Sequence, residues 1–356
     1  MKKVSLAVIL VLILALLTGC TGTPVIYTTN CTCENCGAAS APAAEPEKVE
    51  VTGSLKTGLA IVSGARESKS ASEENNGEAK YDVSVVAVTV DQDGKIVSCI
   101  IDSIGASIYF DAQGQVVVNT EDKILTKNEL KEDYKMKLYG SKYEWYEQAQ
   151  FLADYCAGKT IEEVKSGAVN EQGKAKDADL ATKATIYIGG YVNAIEKAVL
   201  NAENLGANAG DELRLSIVPA YAAGANATAE KNGNTELDVD ACALTVKDGV
   251  ITSCMIDAVQ AKVFFDAQGQ IASGTDGNHL TKNELKENYN MKTWGQAKDE
   301  WYEQAASFAK YVTNKTFDEV KTIAIDAGTK PTEADLAATV TIAIGGFQGL
   351  IAKAAN

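Results

Sequence analysis

Few side chains in this chain could do chemistry. Its 356 residues include a single histidine, His279. Histidine triads, haem ligation through histidine and histidine-based metal sites therefore lack their principal group. The eight cysteines fall into groups. Cys31, Cys33 and Cys36 sit together in Asn-Cys-Thr-Cys-Glu-Asn-Cys-Gly. There the Cys33-x-x-Cys36 pair could chelate zinc, carry a redox disulfide or seed a cluster. A closed zinc site wants four ligands and only three thiols are local, so a disulfide or free thiols is the simpler state. Cys99 and Cys254 lie in apolar runs and are expected as small core residues. Only one of them has Cys242 as a partner across a hairpin. No nucleophile–base pair occurs twice, which leaves a hydrolase without support.

That test of occurring twice comes from the chain itself. FDAQGQ stands at Phe110–Gln115 and Phe265–Gln270, TKNELKE at Thr126–Glu132 and Thr281–Glu287, and EWYEQA at Glu144–Ala149 and Glu300–Ala305. The offset is 265 − 110 = 155, and then 301 − 145 = 156. A residue present in both copies serves the repeated unit. His279 is not one, because its counterpart is Ile124.

The N-terminus reads as an address. Lys2 and Lys3 precede an apolar run from Val4 to Leu17, followed by Leu-Thr-Gly-Cys at 17–20. The run is shorter than the ~20 residues a membrane helix needs. Its pattern is a charged region, an apolar region and small residues before a cleavage point. Cys20 after Thr-Gly resembles the bacterial lipobox, which implies cleavage at 1–19 and lipidation of Cys20. Residues 20–50, rich in Ala, Pro and Cys, have no apolar periodicity and read as a flexible tether. The formal charge is −15, from 33 basic and 48 acidic side chains. Nucleic acid is excluded as a partner by that charge, and the expected membrane contact is the lipid anchor on Cys20.

The remainder divides at the duplication into 51–205 and 206–356. The predicted fold class is α+β, two tandem repeats, each an antiparallel β-meander followed by helices. Val83–Val90 is β-branched and reads as a strand, Asp91-Gln92-Asp93-Gly94 as a turn, and Lys95–Ile101 as the return strand. A further strand is expected to end at Tyr109-Phe110 and return through Val116–Val118. The second copy follows with Leu244–Val246, a turn at Lys247–Gly249, and Val250–Ile256. Thr126-Lys-Asn-Glu129, Thr281-Lys-Asn-Glu284, Thr160-Ile-Glu-Glu163 and Thr316-Phe-Asp-Glu319 are capping boxes. Trp145, Ala149, Leu152 and Cys156 form one apolar helix face, as do Trp301, Ala305, Phe308 and Val312. A last helix is expected from about Thr185 to Asn201, and from about Thr341 to Ala355. Gly189-Gly190 and Gly345-Gly346 would lie inside these helices, packed on the sheet or approached by a ligand.

Each last helix is preceded by a short motif, Asp179-Leu-Ala-Thr182-Lys183-Ala184-Thr185 in one copy and Asp335-Leu-Ala-Ala338-Thr339-Val340-Thr341 in the other. This resembles the Asp-x-x-Ser/Thr-Gly-Ala-Thr motif of the FMN-binding domain family. That family includes FMN-bearing subunits of the Rnf complex and of the sodium-pumping NADH:quinone oxidoreductase, and flavin-carrying surface lipoproteins. Asp179, Thr182, Ala184 and Thr185 match, with Lys183 at the glycine position; in the second copy Asp335 and Thr341 match. The resemblance implies FMN as cofactor, attached by a phosphoester to Thr185 or Thr341. It also implies an extracytoplasmic, lipid-anchored electron carrier with redox partner proteins. Trp145/Trp301, Tyr146/Tyr302 and Tyr191/Phe347 could face the flavin ring, or be core. The alternative is a non-redox binding or scaffold lipoprotein whose degenerate domains carry no flavin.

Overall fold

The computed structural model describes residues 53–295 and 297–355. The 1–19 signal, the 20–50 tether, Cys20, Cys31, Cys33 and Cys36 lie outside the described residues. The fold is mixed α+β, with two antiparallel sheets and eleven α-helices among the described residues. Strands β1 (Lys56–Gly64), β2 (Gly77–Val90), β3 (Ile96–Phe110) and β4 (Val116–Val117) lead into α1 (Lys127–Leu130). Helices α2 (Trp145–Cys156), α3 (Ile161–Ala168), α4 (Ala178–Lys183) and α5 (Gly189–Leu200) complete the first half. The second half has β5 (Glu212–Ala225), β6 (Gly233–Lys247), β7 (Val250–Phe265), β8 (Ile271–Ser273) and β9 (Asn278–His279). Its helices are α6 (Lys282–Leu285), α7 (Met291–Trp294), α8 (Trp301–Val312), α9 (Phe317–Lys321), α10 (Ala334–Ala337) and α11 (Gly345–Lys353).

The strand sequences encode four layers. In β2, Tyr81, Val83, Val85 and Ala87 point to one face, and Val86, Val88 and Val90 to the other. The first set joins a central core shared with Leu237, Val239, Ala241 and Ala243 of β6. The second set packs under α2, α3 and α5. In β6 the opposite face, Cys242, Leu244 and Val246, packs under α8 and α11. Each central strand is therefore covered on both faces, and its end reads as a continuous apolar run rather than an alternation. The predicted Lys95–Ile101 strand and the strand ending at Phe110 are one 15-residue strand, β3. Gly105 lies within it and does not break it, because ladder hydrogen bonds to β2 run on both sides of that residue.

The sheets are ordered β4-β3-β2-β1-β9 and β5-β6-β7-β8. Strand β9 belongs to the second half of the sequence but pairs with β1, placing Ser63 opposite His279. His279 is spent on structure there: Nδ1 lies 3.3 Å from Ser63 Oγ and Nε2 3.0 Å from the Lys262 carbonyl.

The FDAQGQ strings meet each other. The Phe110 and Phe265 rings stack with centroids 4.2 Å apart and planes 2° apart. Gly114 and Gly269 both have φ +67°. A Cβ on Gly114 would come within 2.9 Å of the Asp266 carbonyl oxygen, and one on Gly269 within 2.5 Å of the Asp111 carbonyl oxygen. Left-handed backbone and a close backbone approach both demand glycine at these positions.

Cys99, Cys156, Cys242 and Cys254 are free thiols. Cys242 faces Ile256 across the β6–β7 ladder, while Cys254 faces Leu244. Burial pushes Cys156 and Cys242 up to about 12. Since the thiolate is the reactive form, alkylation of Cys156, Cys242 and Cys254 in the native protein is expected to run at least ~100-fold slower than in the unfolded chain. Site-resolved mass spectrometry after a timed iodoacetamide pulse measures this directly. Comparable native and unfolded rates at Cys242 would contradict the packing described.

Candidate functional site

The motif residues lie on α4 and on the link that follows it, not at the start of a long helix. Helix α4 ends at Lys183 and α5 begins at Gly189. The expected helix from Thr185 is corrected to a non-helical link at 184–188, and in the second copy α11 begins at Gly345. The cause is competition for backbone amides. Gln148 Oε1 accepts from the Thr185 amide (2.8 Å), the Ile186 amide (3.1 Å) and Thr185 Oγ1 (3.2 Å). The Gly173 carbonyl then takes the amides of Ile188 and Gly189. Gln304 holds Thr341 and Ile342 at the same three distances. Both glutamines are fully buried.

Asp177 caps α4, its Oδ1 accepting from the Asp179 and Leu180 amides. Asp179 is exposed in the first turn and pairs with Lys183 Nζ at 2.8 Å. Thr182 Oγ1 donates to the Asp179 carbonyl at 2.8 Å. Ala184 is 1% exposed and belongs to the core under the first sheet. Asp335 is exposed on α10, which starts after Glu333. Thr185 and Thr341 are both exposed. The structure thus gathers Asp179, Thr182 and Lys183 on one short helix, while Thr185 belongs with Gln148.

The glycine pairs occupy the first turn of α5 and α11. A Cβ on Gly189 would meet the Gly173 Cα at 3.2 Å, so the close contact is with a loop rather than the sheet. Beside Gly190 and Gly346 there is open space. The first intrahelical bond of α5 runs from the Val192 amide to Ile188, which leaves the Gly190 and Tyr191 amides without helical acceptors.

One cation lies against the first threonine. Lys174 Nζ donates to the Thr185 carbonyl at 2.9 Å and lies 4.4 Å from the centre of the exposed Tyr187 ring. The shared aromatics point elsewhere. Trp145 and Trp301 are 2% and 6% exposed. Trp145 Nε1 donates to Tyr191 Oη at 3.2 Å, and Trp301 packs edge-on to Phe347. Tyr146 and Tyr302 donate to Glu132 and Glu287.

Two groups of residues emerge here that the sequence reading did not single out. Gln148 and Gln304 were visible only as a polar residue in an apolar helix face, repeated in EWYEQA. Asp102 and Asp257 were visible only as an acid within apolar strands. Each aspartate is over nine-tenths buried. Asp102 Oδ1 accepts from the Ser103 and Asn128 amides, and Asp257 Oδ1 from the Ala258 and Asn283 amides. The TKNELKE strings are therefore the segments that dock on these carboxylates. Lys353 pairs with Glu129 and Lys197 with Glu284, each at 2.9 Å, so each half's last helix reaches the other half's α1 or α6.

Among the described residues no cluster of three or more metal-ligating side chains occurs, and no helix is long and apolar enough to cross a membrane. No family model matches the chain, and neither a curated protein nor a solved structure is significantly similar to it.

Proposed function

We propose that the two halves are degenerate copies of an FMN-binding-like unit. In this reading the chain is a lipoprotein, tethered through Cys20 on the extracytoplasmic side of a membrane, that carries flavin for electron transfer. At the attachment position Thr185 is an exposed residue whose hydroxyl donates to Gln148 Oε1, on a backbone pinned by the same glutamine. The observation that carries the reading is the Lys174 ammonium 2.9 Å from the Thr185 carbonyl, which puts a positive charge on the residue that would bear a phosphoester. Lys183, two residues earlier, adds a second cation, though it is paired with Asp179. At Thr341 the link is pinned in the same way, but Lys298 reaches only the Ala338 carbonyl. Thr185 is accordingly the favoured position. A bound flavin would supply one-electron and hydride transfer; the protein would hold it and tune it.

Coexpression with a flavin transferase is expected to give yellow protein whose intact mass exceeds the apo chain by one FMN. Thr185→Val should abolish that added mass, while Thr341→Val should leave it unchanged. Colourless protein of apo mass, with no spectral change on titrating FMN, sinks the reading. One observation favours the alternative of a non-redox binding or scaffold protein: Trp145 and Trp301, the rings best suited to stack on a flavin, are buried in the core.

A further inference from the structure

Between α1 and α2 the chain raises an apolar crest that packing inside the fold does not use. Its turn is closed by the Tyr139 and Ser141 amides on the Met136 carbonyl and by the Gly140 amide on the Lys137 carbonyl, each at 3.1 Å. At the top, Leu138 is 74% and Tyr139 84% exposed. We propose that this crest docks on an anionic phospholipid surface, with Leu138 and Tyr139 seated at headgroup level and Lys135 and Lys142 reaching the lipid phosphates. The proposal depends neither on flavin nor on a lipid at Cys20.

The crest is held out by buried groups. Glu144 is 2% exposed, and its carboxylate accepts from the Met136 amide at 2.8 Å and the Lys137 amide at 3.1 Å. On the far flank Gln148 donates to Ser141 Oγ and to the Tyr143 carbonyl. Both flanks are thus tied to the start of α2, and docking would order little further chain. The second half repeats the device. Glu300 accepts from the Met291 and Lys292 amides at the same two distances, and Trp294 is 83% exposed. An isolated exposed ring is ordinary. A ring kept exposed on the same buried-glutamate mount in both copies, as Tyr139 and Trp294, points to a contact outside the chain.

Charge and chemistry select the surface. Tyr and Trp rings favour the membrane–water interface, and lysine stems extend from there to the phosphates. The chain as a whole, at −15, is repelled by anionic lipid. The crest reverses that sign: residues 131–142 hold four lysines against Glu132 and Asp133, a net +2. It is still +1 with Glu147, which pairs with Lys137 at 2.7 Å. Glu132 is turned towards α2, where it accepts from the Tyr146 hydroxyl. Lys135 and Lys142 bracket the crest and are exposed. Carboxylates more than about 8 Å away are largely screened at physiological salt. The second crest is the weaker of the two, since Thr293 stands beside Trp294 and Lys298 Nζ is spent on the Ala338 carbonyl.

The test places an indole on the first crest, as Tyr139→Trp in a Trp294→Phe background of the full chain. The two remaining tryptophans, Trp145 and Trp301, are buried and out of reach of lipid. The chain is mixed with vesicles carrying brominated acyl chains, made of phosphatidylglycerol with phosphatidylcholine or of phosphatidylcholine alone. Quenching of the new indole reads insertion of the crest itself, whatever the N-terminal segment does. Saturable quenching is expected in the anionic vesicles, with half-quenching at several-fold lower lipid than in the neutral ones. Lys135→Gln and Lys142→Gln should each raise the half-quenching lipid concentration roughly fivefold. Three results overturn the proposal: no quenching in anionic vesicles, which would leave the crest to a protein partner, equal half-quenching in neutral vesicles, or half-quenching unchanged when both lysines are replaced.

Discussion

Replacing Gln148 with leucine is expected to destabilise the fold by about 3 kcal/mol, the sum of several orphaned polar groups rather than of lost volume. Leucine fills nearly the same space, so no large cavity forms. What disappears is the acceptor for the Thr185 and Ile186 amides and for Thr185 Oγ1. The donor to the Tyr143 carbonyl (2.9 Å) and Ser141 Oγ (3.2 Å) goes as well. Thr185→Val removes only the hydroxyl bond and should cost about 1 kcal/mol or less. Gln304→Leu should repeat the larger effect, since Gln304 makes the same three bonds to Thr341 and Ile342 and donates to the Asp299 carbonyl. Urea unfolding measures the stabilities, and hydrogen exchange should show the 185 and 186 amides losing protection first. A Gln148→Leu protein within ~0.5 kcal/mol of the parent would show that this side chain is not what shapes the link.

Stability is also expected to fall as pH rises from about 4 to above 6, with Asp102 and Asp257 contributing about 3 kcal/mol each. Burial drives both carboxyls from an ordinary 3.8 up to about 6; hydrogen bonds from Thr126 and Asn128, and from Thr281 and Asn283, offset only part of that. A raised folded value means the native state binds these protons more tightly than the unfolded chain does. Their stabilisation is complete below the unfolded value of 3.8, declines through the window, and is gone once both states are ionised above about 6. Asp238, also raised to about 6 by burial and by Glu236, acts in the same direction. So does the net charge of −15, whose self-repulsion eases as carboxylates protonate. Glu129 opposes them: burial would raise it, but the Thr126 amide and Lys353 hold it below the usual range. It is mostly solvated, so its share is smaller. Urea midpoints at pH 5, 6, 7 and 8 test the slope, and Asp257→Asn should flatten it. A midpoint that climbs from pH 5 to pH 7 would refute the account.

Different parts of the site were legible to different degrees. The capping boxes at Thr126, Thr160, Thr281 and Thr316 form as the sequence predicts, because each joins atoms three residues apart. The apolar faces of α2 and α8 are buried as their spacing requires. The Thr185 link was misread as helix because a glutamine 37 residues away claims its amides. Asp102 was overlooked because an acid in a strand does not announce whether water or protein will surround it.

By itself the sequence determined the α+β class, the caps, the apolar faces of the two long helices and the shortage of histidine chemistry. These follow from composition and from periodicities of a few residues, which act before any long-range contact exists. Only the tertiary structure decided what the three duplicated strings are for. FDAQGQ makes two turns that pack on each other, TKNELKE docks on buried aspartates and links across the halves, and EWYEQA carries the glutamine that holds the threonine. Each of those partners lies dozens to more than a hundred residues away. Duplication marks such residues as shared, but only the packed layers bring the partners within bonding distance.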